Sequence, residues 1–375
     1  MTNKKKGWRV FKILFVVLNI IAVLCILMAY GAAFVNPGKN WFFAFFGLAY
    51  PIVLLVNLFF VFLWLILWKK YIFLSLCALL IGYNHLNSIL PLRFPSKEKK
   101  TSESIKIISY NVHSLYGKKI DAIIPETRSK VTEFLSNQHA DIICIQEFNA
   151  MGEDFTKTLL KFTHSINLTN FFFKNYQDFY NKKKINAIAT FSKYPIVRNG
   201  TFRLPKRSYF ATFVDILFNP GDTVRVYNLH LESYRFGDED YTFYSHLTDP
   251  GSESTQLTSG SRKMFWKLRK AFIFRARQVD ILKQDIANCP YPVIVCGDFN
   301  DSPFSYTYSQ LRTNLADAYN TAGNGFFGST YAGKLPSFRI DYIFYSSYFK
   351  ASDYHKFEID LSDHYPIVTT LSINP

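Results

Sequence analysis

The first 90 residues of this 375-residue chain contain no aspartate or glutamate, although they hold 8 of its 43 lysines and arginines. Phe, Leu, Ile, Val and Trp dominate this part of the sequence. Water-soluble helices show a polar face, and the apolar runs here show none. The missing acids therefore argue against a buried helical domain of a soluble protein and favour segments that lie in a membrane.

Cysteine is also scarce, with five residues in the whole chain. This odd number, without the spacing of a small cross-linked domain, gives no disulfide framework and no zinc-ligand cluster. Cys144 and Cys296 lie in apolar strand-like runs, where a packed thiol is expected. No P-loop, nucleophile elbow or dinucleotide-binding glycine pattern is present to support another chemistry.

Three apolar runs fill the first 90 residues: Phe11–Val35, Trp41–Trp68 and Tyr71–Leu90. A membrane-spanning helix needs about 20 apolar residues, and the first two runs meet this requirement. The third is weaker, because polar side chains lie near its end. The sequence thus predicts a transmembrane region of about three helices over residues 1–90. A cleaved signal peptide is the alternative for the first run, and the second run would then still anchor the chain.

Lysines and arginines near the ends of the runs indicate how the chain crosses the membrane. Four of them precede the first run, one is its second residue, and two more separate the second run from the third: Lys4, Lys5, Lys6, Arg9, Lys12, Lys69 and Lys70. Positive residues stay in the cytoplasm. With three spans the C-terminal part lies on the periplasmic or extracellular side of an inner or plasma membrane, and with two it faces the cytoplasm. We favour three spans.

The remainder of the chain is expected to be a linker, residues 91–104, followed by one large domain, residues 105–375. Beyond residue 90 the chain carries 35 basic and 28 acidic residues, a net charge of +7. This charge permits an anionic substrate or an anionic membrane surface. It is not the charge of a protein that coats DNA.

Strand-like runs recur through residues 105–375, with few helices between them. The runs are Ile105–Tyr110, Asp141–Gln146, Ala187–Phe191, Ala211–Leu217, Thr223–His230, Pro292–Cys296, Ile340–Tyr345 and Tyr365–Ile373. Helical patterns cover Arg128–Asn137 and Ser261–Asn288, and Gly237–Gly260 is predicted to be a surface loop. This mixture predicts an α+β fold rather than a regular βαβ array.

Six short polar motifs each lie beside a strand-like run. They are Ser109–His113, Ile145–Glu147, Asn228–Leu231, Gly297–Asn300, Arg339–Ile343 and Ser362–Pro366. Together they supply carboxylates, carboxamides and three histidines, the side chains needed to hold a hard divalent cation and to hydrolyse a phosphate ester.

In order and spacing the six motifs resemble the endonuclease/exonuclease/phosphatase superfamily, over roughly Ile105 to the C-terminus. The resemblance implies a DNase I-like four-layer sandwich of two packed, mostly antiparallel sheets flanked by helices, here preceded by transmembrane helices. It also implies a membrane-anchored, Mg²⁺-dependent hydrolase of phosphoric esters, with Mn²⁺ as the alternative ion. In such an enzyme an activated water attacks a phosphodiester in line, without a covalent enzyme intermediate.

The resemblance assigns the metal to Glu147, helped by Asn111 and Asp363. Read alone, Glu147 after a strand would more often be a solvated turn residue. Asn111 would also orient a phosphate oxygen. At the position of His113 some superfamily members carry an acidic metal ligand and others do not. The sequence therefore leaves open whether His113 contacts the metal. Contact with the substrate phosphate is the alternative.

The same resemblance implies the catalytic roles. Asp298 would orient or deprotonate the attacking water, and Asn300 would hold a phosphate oxygen. His230 and His364 would face the phosphate. Asp341 would hydrogen-bond His364, hold its tautomer and raise its pKa, so that the imidazole stays protonated.

The sequence leaves the substrate open among a nucleic acid, a phospholipid such as sphingomyelin, and an inositol phosphate, with a nuclease-like phosphodiester favoured. The basic, aromatic segment Arg262–Lys283 would suit lipid headgroups or nucleic acid, or would be an outer helix with solvated charges. An inactive, membrane-tethered binding module is a remote alternative. The membrane is the partner that the sequence indicates, and no obligate protein partner is evident.

Overall fold

A computed structural model of the chain describes all residues except 1, 90, 92–103, 116–124, 150–153, 178–184, 206–207, 220, 238, 241, 243–253, 326–327, 334–337 and 375. The predicted linker over residues 91–104 therefore lies almost entirely outside the described residues.

Five helices occupy the apolar N-terminal region. They are α1 (Thr2–Gly31), α2 (Phe42–Leu48), α3 (Tyr50–Ile66), α4 (Ile72–Ile81) and α5 (Tyr83–Ile89). Within the described residues, one helix is long and apolar enough to cross a membrane, the Gly7–Gly31 part of α1. The second apolar run passes the same test only as the pair α2 and α3, which meet at 68°. Pro51 lies in the first turn of α3, where its missing amide ends the backbone ladder of α2.

A buried polar network joins three of these helices. Asn19 on α1 donates to the Ser75 hydroxyl on α4 at 2.6 Å, and that hydroxyl donates to Asn57 on α3 at 2.9 Å. The indole of Trp64 donates to Asn19 at 2.8 Å. The outer faces of α1 and α3 instead expose large apolar side chains. Polar groups inside and apolar groups outside are the arrangement of helices that pack together in lipid.

Two six-stranded sheets form the C-terminal domain. The first has the order β11-β12-β1-β2-β4-β3 and the second the order β5-β6-β7-β8-β10-β9. The strands are β1 (Ser104–Asn111), β2 (Ile142–Asn149), β3 (Asn170–Gln177), β4 (Ile185–Ser192), β5 (Ile196–Arg203), β6 (Tyr209–Asn219), β7 (Asp222–His230), β8 (Val293–Asp298), β9 (Ala316–Asp317), β10 (Asp341–Tyr345), β11 (Phe349–Lys356) and β12 (Ile367–Ile373). The pairs β1–β2 and β7–β8 are parallel, and the other pairs among the described strands are antiparallel.

The sheets pack face to face between outer helices. Side chains from both sheets, among them Ile107 and Val226, fill the central layer. Helices α6 (Pro125–Asn137) and α7 (Phe155–Ile166) cover the first sheet. Helices α8 (Ser254–Ala287) and α9 (Tyr306–Arg312) cover the second, and α10 (Ala318–Ala322) lies against β11. The predicted α+β four-layer sandwich is confirmed, and Cys144 and Cys296 are buried in its centre as expected.

Some elements differ from the sequence prediction. The predicted loop Gly237–Gly260 is wrong in its last part, because α8 already begins at Ser254. This first turn is rich in Ser and Thr, so it lacks the apolar period that marks the rest of the helix. Four strands were not predicted: β3, β5, β9 and β11. All four lie at the edges of the sheets, where half of the backbone has no partner strand and the apolar pattern is weak.

The N-terminal helices pack directly on the C-terminal domain. The rings of Tyr50 and Phe304 lie 4.2 Å apart, and Asn36 donates to Asp280 at 2.8 Å. The guanidinium of Arg339, which is 2% exposed, donates to the Ser88 carbonyl at 3.1 Å. The end of α1, the α2–α3 bend and the end of α5 therefore all meet one side of the domain.

Candidate active site

The ends of neighbouring strands bring the predicted side chains together. Asn111 ends β1, His230 ends β7 and Asp298 ends β8. Asp341 begins β10, which runs antiparallel to β8. In the ladder Asp298 pairs with His230 on one side and with Asp341 on the other. Directly paired residues have Cβ atoms about 5 Å apart, so the sheet itself places these groups at one edge.

Asp298 lies at the centre of the group and is 1% exposed. Its Oδ2 accepts from the side-chain amides of Asn111 and Asn300, both at 3.0 Å. Its Oδ1 accepts from the backbone N–H of Asn300 at 2.7 Å. Burial raises the pKa of Asp298 to about 6, opposed by His364 and reinforced by Asp341. At neutral pH this carboxylate is ionised and is a stronger base than an ordinary aspartate.

His364 is held by Asp341. Its Nδ1 lies 2.9 Å from Oδ2 of Asp341, and its Nε2 lies 3.8 Å from Oδ2 of Asp298. Burial opposes the charged imidazole, but these two carboxylates outweigh it and raise the pKa of His364 well above its usual value. The ring is therefore a cation at neutral pH, and its Nε2 is directed toward Asp298.

His230 approaches Asp298 from the other side. Its Nε2 lies 3.8 Å from Oδ2 of Asp298 and 3.5 Å from Oε1 of Glu147. Its Nδ1 lies 3.0 Å from the hydroxyl of Tyr176 on β3. Sequence reasoning missed Tyr176, because it lies on an edge strand that was not predicted. The aromatic composition of 169–180 was the only available signal.

Glu147 reaches the site through a β-bulge. The pairing of β2 with β4 shifts between Ile145 and Phe148, and Glu147 has a φ of 55°. A bulge re-aims one side chain without ending the strand, so Glu147 does not simply follow a strand end as the sequence suggested. Its Oε2 accepts from the Ser114 hydroxyl at 3.2 Å.

The turn after β8 directs Asn300 back onto Asp298. Gly297 has a φ of 140° and Asn300 a φ of 52°. Besides bonding Asp298, the Asn300 amide donates to the Leu231 carbonyl at 3.1 Å. The GDFN motif therefore fixes its own aspartate and connects β8 to the chain that follows β7.

Two groups of residues could hold a divalent cation. Among the described residues, the buried side chains of Asp298, Asp341 and His364 place ligand atoms within 4.8 Å of one another. Glu147 and Asp363, in contrast, have side chains that are 21% and 22% exposed and line a shared pocket. Mg²⁺ prefers oxygen ligands and keeps several waters. The partly exposed carboxylates of Glu147 and Asp363 therefore suit it better than the buried group. That group includes His364, which is already hydrogen-bonded to Asp341.

The remaining predicted positions lie close by. The side-chain nitrogen of Asn111 lies 3.5 Å from Oε1 of Glu147 and 3.0 Å from Oδ2 of Asp298. In this orientation the amide donates to both carboxylates. Its Oδ1 accepts from the backbone of His113, whose Nδ1 lies 3.5 Å from Asp363. His113 thus contacts a proposed metal ligand. Asn228, from the same motif as His230, instead points between the sheets and accepts from Gln146 at 2.6 Å.

The candidate site opens into one pocket of about 740 Å³. Its polar lining includes Glu147, His230, Asp298, Asn300, Asp363 and His364. Its apolar lining includes residues of α2, α3 and α8. The pocket therefore lies where the C-terminal domain meets the N-terminal helices.

Comparison with solved structures identifies similar folds. An endonuclease/exonuclease/phosphatase from Beutenbergia cavernae is 18% identical, with a TM-score of 0.52 over 72% of each chain. A protein of the same description from Bacteroides vulgatus is 18% identical, with a TM-score of 0.49 over 73% of this chain and 100% of that one. The human Nocturnin catalytic domain is 18% identical, with a TM-score of 0.49 over 72% of this chain and 94% of that one.

Sequence comparison divides the chain in the same way as the structure. No curated protein matches it. A domain family of unknown function matches residues 11–89, the N-terminal helices. The endonuclease/exonuclease/phosphatase family matches residues 108–364, more than half of the chain, and the match covers five of the six motifs and the sixth as far as His364. The chain belongs to the endonuclease/exonuclease/phosphatase family.

Proposed function

We propose that the protein is a membrane-anchored, Mg²⁺-dependent hydrolase of phosphoric esters, in which water attacks a phosphodiester in line. The observation that carries this proposal is the environment of Asp298. A buried, ionised carboxylate lies between two imidazoles, with each Nε2 at 3.8 Å from the same oxygen. This arrangement combines a base for water with two donors for the charge that develops on phosphate.

The carboxylate oxygens of Glu147 and Asp363 would hold the Mg²⁺. Asn111 would join them once its amide oxygen is turned toward the two carboxylates. Mn²⁺ is the alternative ion. When bound, the cation supplies Lewis-acid polarisation of a phosphoryl oxygen and neutralises negative charge. Both carboxylates line the pocket and remain partly exposed, which leaves room for metal-bound waters.

The chain's own residues then handle the proton and the phosphate. Asp298 orients the water and accepts its proton, while Asn300 fixes Asp298 and faces a phosphate oxygen. His364, held in one tautomer by Asp341, donates from Nε2 to the phosphate. His230, oriented by Tyr176, donates from the opposite side. Asp298, Asn300, His230 and His364 all line the pocket.

The N-terminal helices support an anchored protein with an external domain. The domain contacts the end of α1, the α2–α3 bend and the end of α5. At the other end of the bundle, Lys12 lies 5.2 Å from the ring of Tyr71, the residue after Lys69 and Lys70. The basic residues and the domain are thus at opposite ends. If the basic end is cytoplasmic, the domain is periplasmic or extracellular, and α4 with α5 forms the third crossing.

The test is hydrolysis by the full-length protein in nanodiscs, with Mg²⁺ or with EDTA. The panel holds plasmid DNA, RNA, sphingomyelin, inositol phosphates and bis(p-nitrophenyl) phosphate. We expect metal-dependent turnover that falls by about 10²–10⁴-fold in both Asp298→Ala and His364→Ala. Asp222→Asn, an exposed carboxylate at the start of β7, is the matched control. A folded protein that binds Mg²⁺ but turns over nothing would favour the inactive binding module instead.

A further inference from the structure

One wall of the catalytic pocket comes from the N-terminal helices. Phe45, Leu48, Ala49 and Ile52 all line it. Phe45 and Leu48 lie on α2, Ala49 at the break and Ile52 on α3, and together they form one apolar stripe that crosses the α2–α3 bend. A hydrolase that recognised only a phosphate and its polar substituents would gain nothing from such a stripe beside its catalytic carboxylate.

The facing wall is also apolar and is held against the stripe. Met264 and Leu268, one turn apart on α8, line the same pocket. Between them Phe265 stacks on Phe45, with ring centroids 4.9 Å apart and planes inclined by 8°. The two walls are thus one packed unit, and the apolar groove between them is built into the fold.

The groove opens toward the outer surface of the helix bundle. Ile52, at the end of the stripe, is 68% exposed. The exposed apolar face continues along α3 through Leu55 and Phe59. Nearby, the guanidinium of Arg269 lies 5.2 Å from the ring of Trp41 and 5.0 Å from that of Trp266. Tryptophan and arginine together are typical of the membrane–water interface.

We propose that the stripe is a subsite for an apolar chain, and that the substrate is a phosphodiester lipid of the surrounding leaflet. The lipid's phosphate lies at Asp298 and one of its chains lies along Leu48 and Ile52. This inference rests on the proposed function. A nucleic acid carries no apolar chain and would leave the groove unfilled. The anchor then does more than tether the enzyme, because it forms part of the substrate site.

The first test uses monomeric substrates with the full-length protein in nanodiscs. These are p-nitrophenyl alkyl phosphodiesters with chains of two to eight carbons, each below its critical micelle concentration. Burying a methylene from water contributes enough for a change of roughly threefold. We expect kcat/KM to rise by about that factor for each added carbon until the groove is filled.

The second test separates the groove from simple partitioning into the nanodisc. Leu48→Trp fills the groove, and Leu55→Trp places the same side chain on the exposed face of α3, outside the pocket. Partitioning is the same for both. We expect the ratio of kcat/KM for the eight-carbon substrate to that for the two-carbon substrate to fall at least about tenfold in Leu48→Trp and to be kept in Leu55→Trp.

The outcomes distinguish the two proposals. Metal-dependent turnover with no dependence on chain length, or preferential cleavage of DNA or RNA, would overturn the lipid subsite and leave the hydrolase standing. A chain-length dependence that is the same in Leu48→Trp and in the unaltered protein would also overturn the subsite. No turnover of any phosphodiester with Mg²⁺ would contradict the hydrolase itself. If Leu48→Trp failed to fold, Ile52→Trp, at the exposed end of the stripe, would replace it in the same comparison with Leu55→Trp.

Discussion

Gly297 allows two strands to approach each other directly beside Asp298. Its φ is 140°, and a Cβ placed there would lie 2.1 Å from the carbonyl oxygen of Leu229 on β7. Glycine is the residue type that adopts this φ without strain and has no Cβ to clash with β7. The glycine of the GDFN motif is therefore needed for the parallel β7–β8 pair that brings His230 to Asp298.

We predict that Gly297→Ala destabilises the domain by more than the backbone strain of about 1–3 kcal/mol, because the clash is with backbone. Gly221→Ala is the matched control. Gly221 also has a positive φ, 96°, but has open space around it, so that variant measures strain alone. Thermal unfolding of both variants checks the difference. Equal losses of stability would contradict the close approach of β7 and β8.

The sequence predicted the residues of the site better than the backbone that positions them. Asn111, His230, Asp298 and Asp341 lie at strand ends, where the strand pattern alone aims their side chains. Glu147 needs a bulge with a φ of 55°, and no residue type in its neighbourhood signals one. Tyr176, Ser114 and the inward Asn228 depend on contacts between distant strands, which local patterns do not encode.

Strands buried in the middle of a sheet were predicted from the sequence, and strands at the edges were not. Strands in the middle of the sheets, such as β2 and β8, each begin with four apolar residues in a row and were found in the sequence. The edge strands β3, β5, β9 and β11 were not. The second apolar run was expected to be one span, but Pro51 divides it into α2 and α3. That bend places Phe45, Leu48, Ala49 and Ile52 along the pocket, so this unpredicted irregularity, like the bulge at Glu147, shapes the candidate site.

The seating of α2 on the domain depends on Gly47. A Cβ at this position would meet Ala32 at 2.8 Å and the Phe304 carbonyl at 3.1 Å. We predict that Gly47→Val moves α2 off the domain, lowers the melting temperature and weakens turnover of long-chain substrates more than that of short-chain ones. Gly7→Val in α1, where nothing lies within 4 Å, is the control. Unchanged melting and unchanged chain preference in Gly47→Val would show that the contact is unimportant.

For the whole molecule, the contacts between bundle and domain predict a topology. A cysteine introduced at Asp222 is expected to react with a membrane-impermeant maleimide in intact cells, above the level of the unaltered protein. A cysteine at Lys69 is expected to react only after the cells are opened. Both positions are exposed, so access to the reagent differs only by the side of the membrane. The reverse pattern would place the domain in the cytoplasm and leave two spans.

Much of this large-scale organisation could be predicted from composition. The acid-free first 90 residues, against the six motifs and the +7 charge of the remainder, separate an apolar helical region from a domain of the endonuclease/exonuclease/phosphatase family. What composition could not predict is that the two parts share a pocket. That depends on Phe45 meeting Phe265 and on Tyr50 meeting Phe304, contacts between residues more than 200 positions apart.

We propose that Glu147 and the Asp298 cluster form one metal-dependent hydrolytic site. The most direct test is the rate of bis(p-nitrophenyl) phosphate hydrolysis as a function of Mg²⁺ concentration, for the full-length protein and for Glu147→Gln. We predict no turnover in EDTA, saturable turnover with Mg²⁺, and a half-saturating Mg²⁺ concentration raised roughly tenfold or more in Glu147→Gln. Turnover that persists in EDTA, or the same Mg²⁺ dependence in both proteins, would contradict a metal-dependent site that includes Glu147.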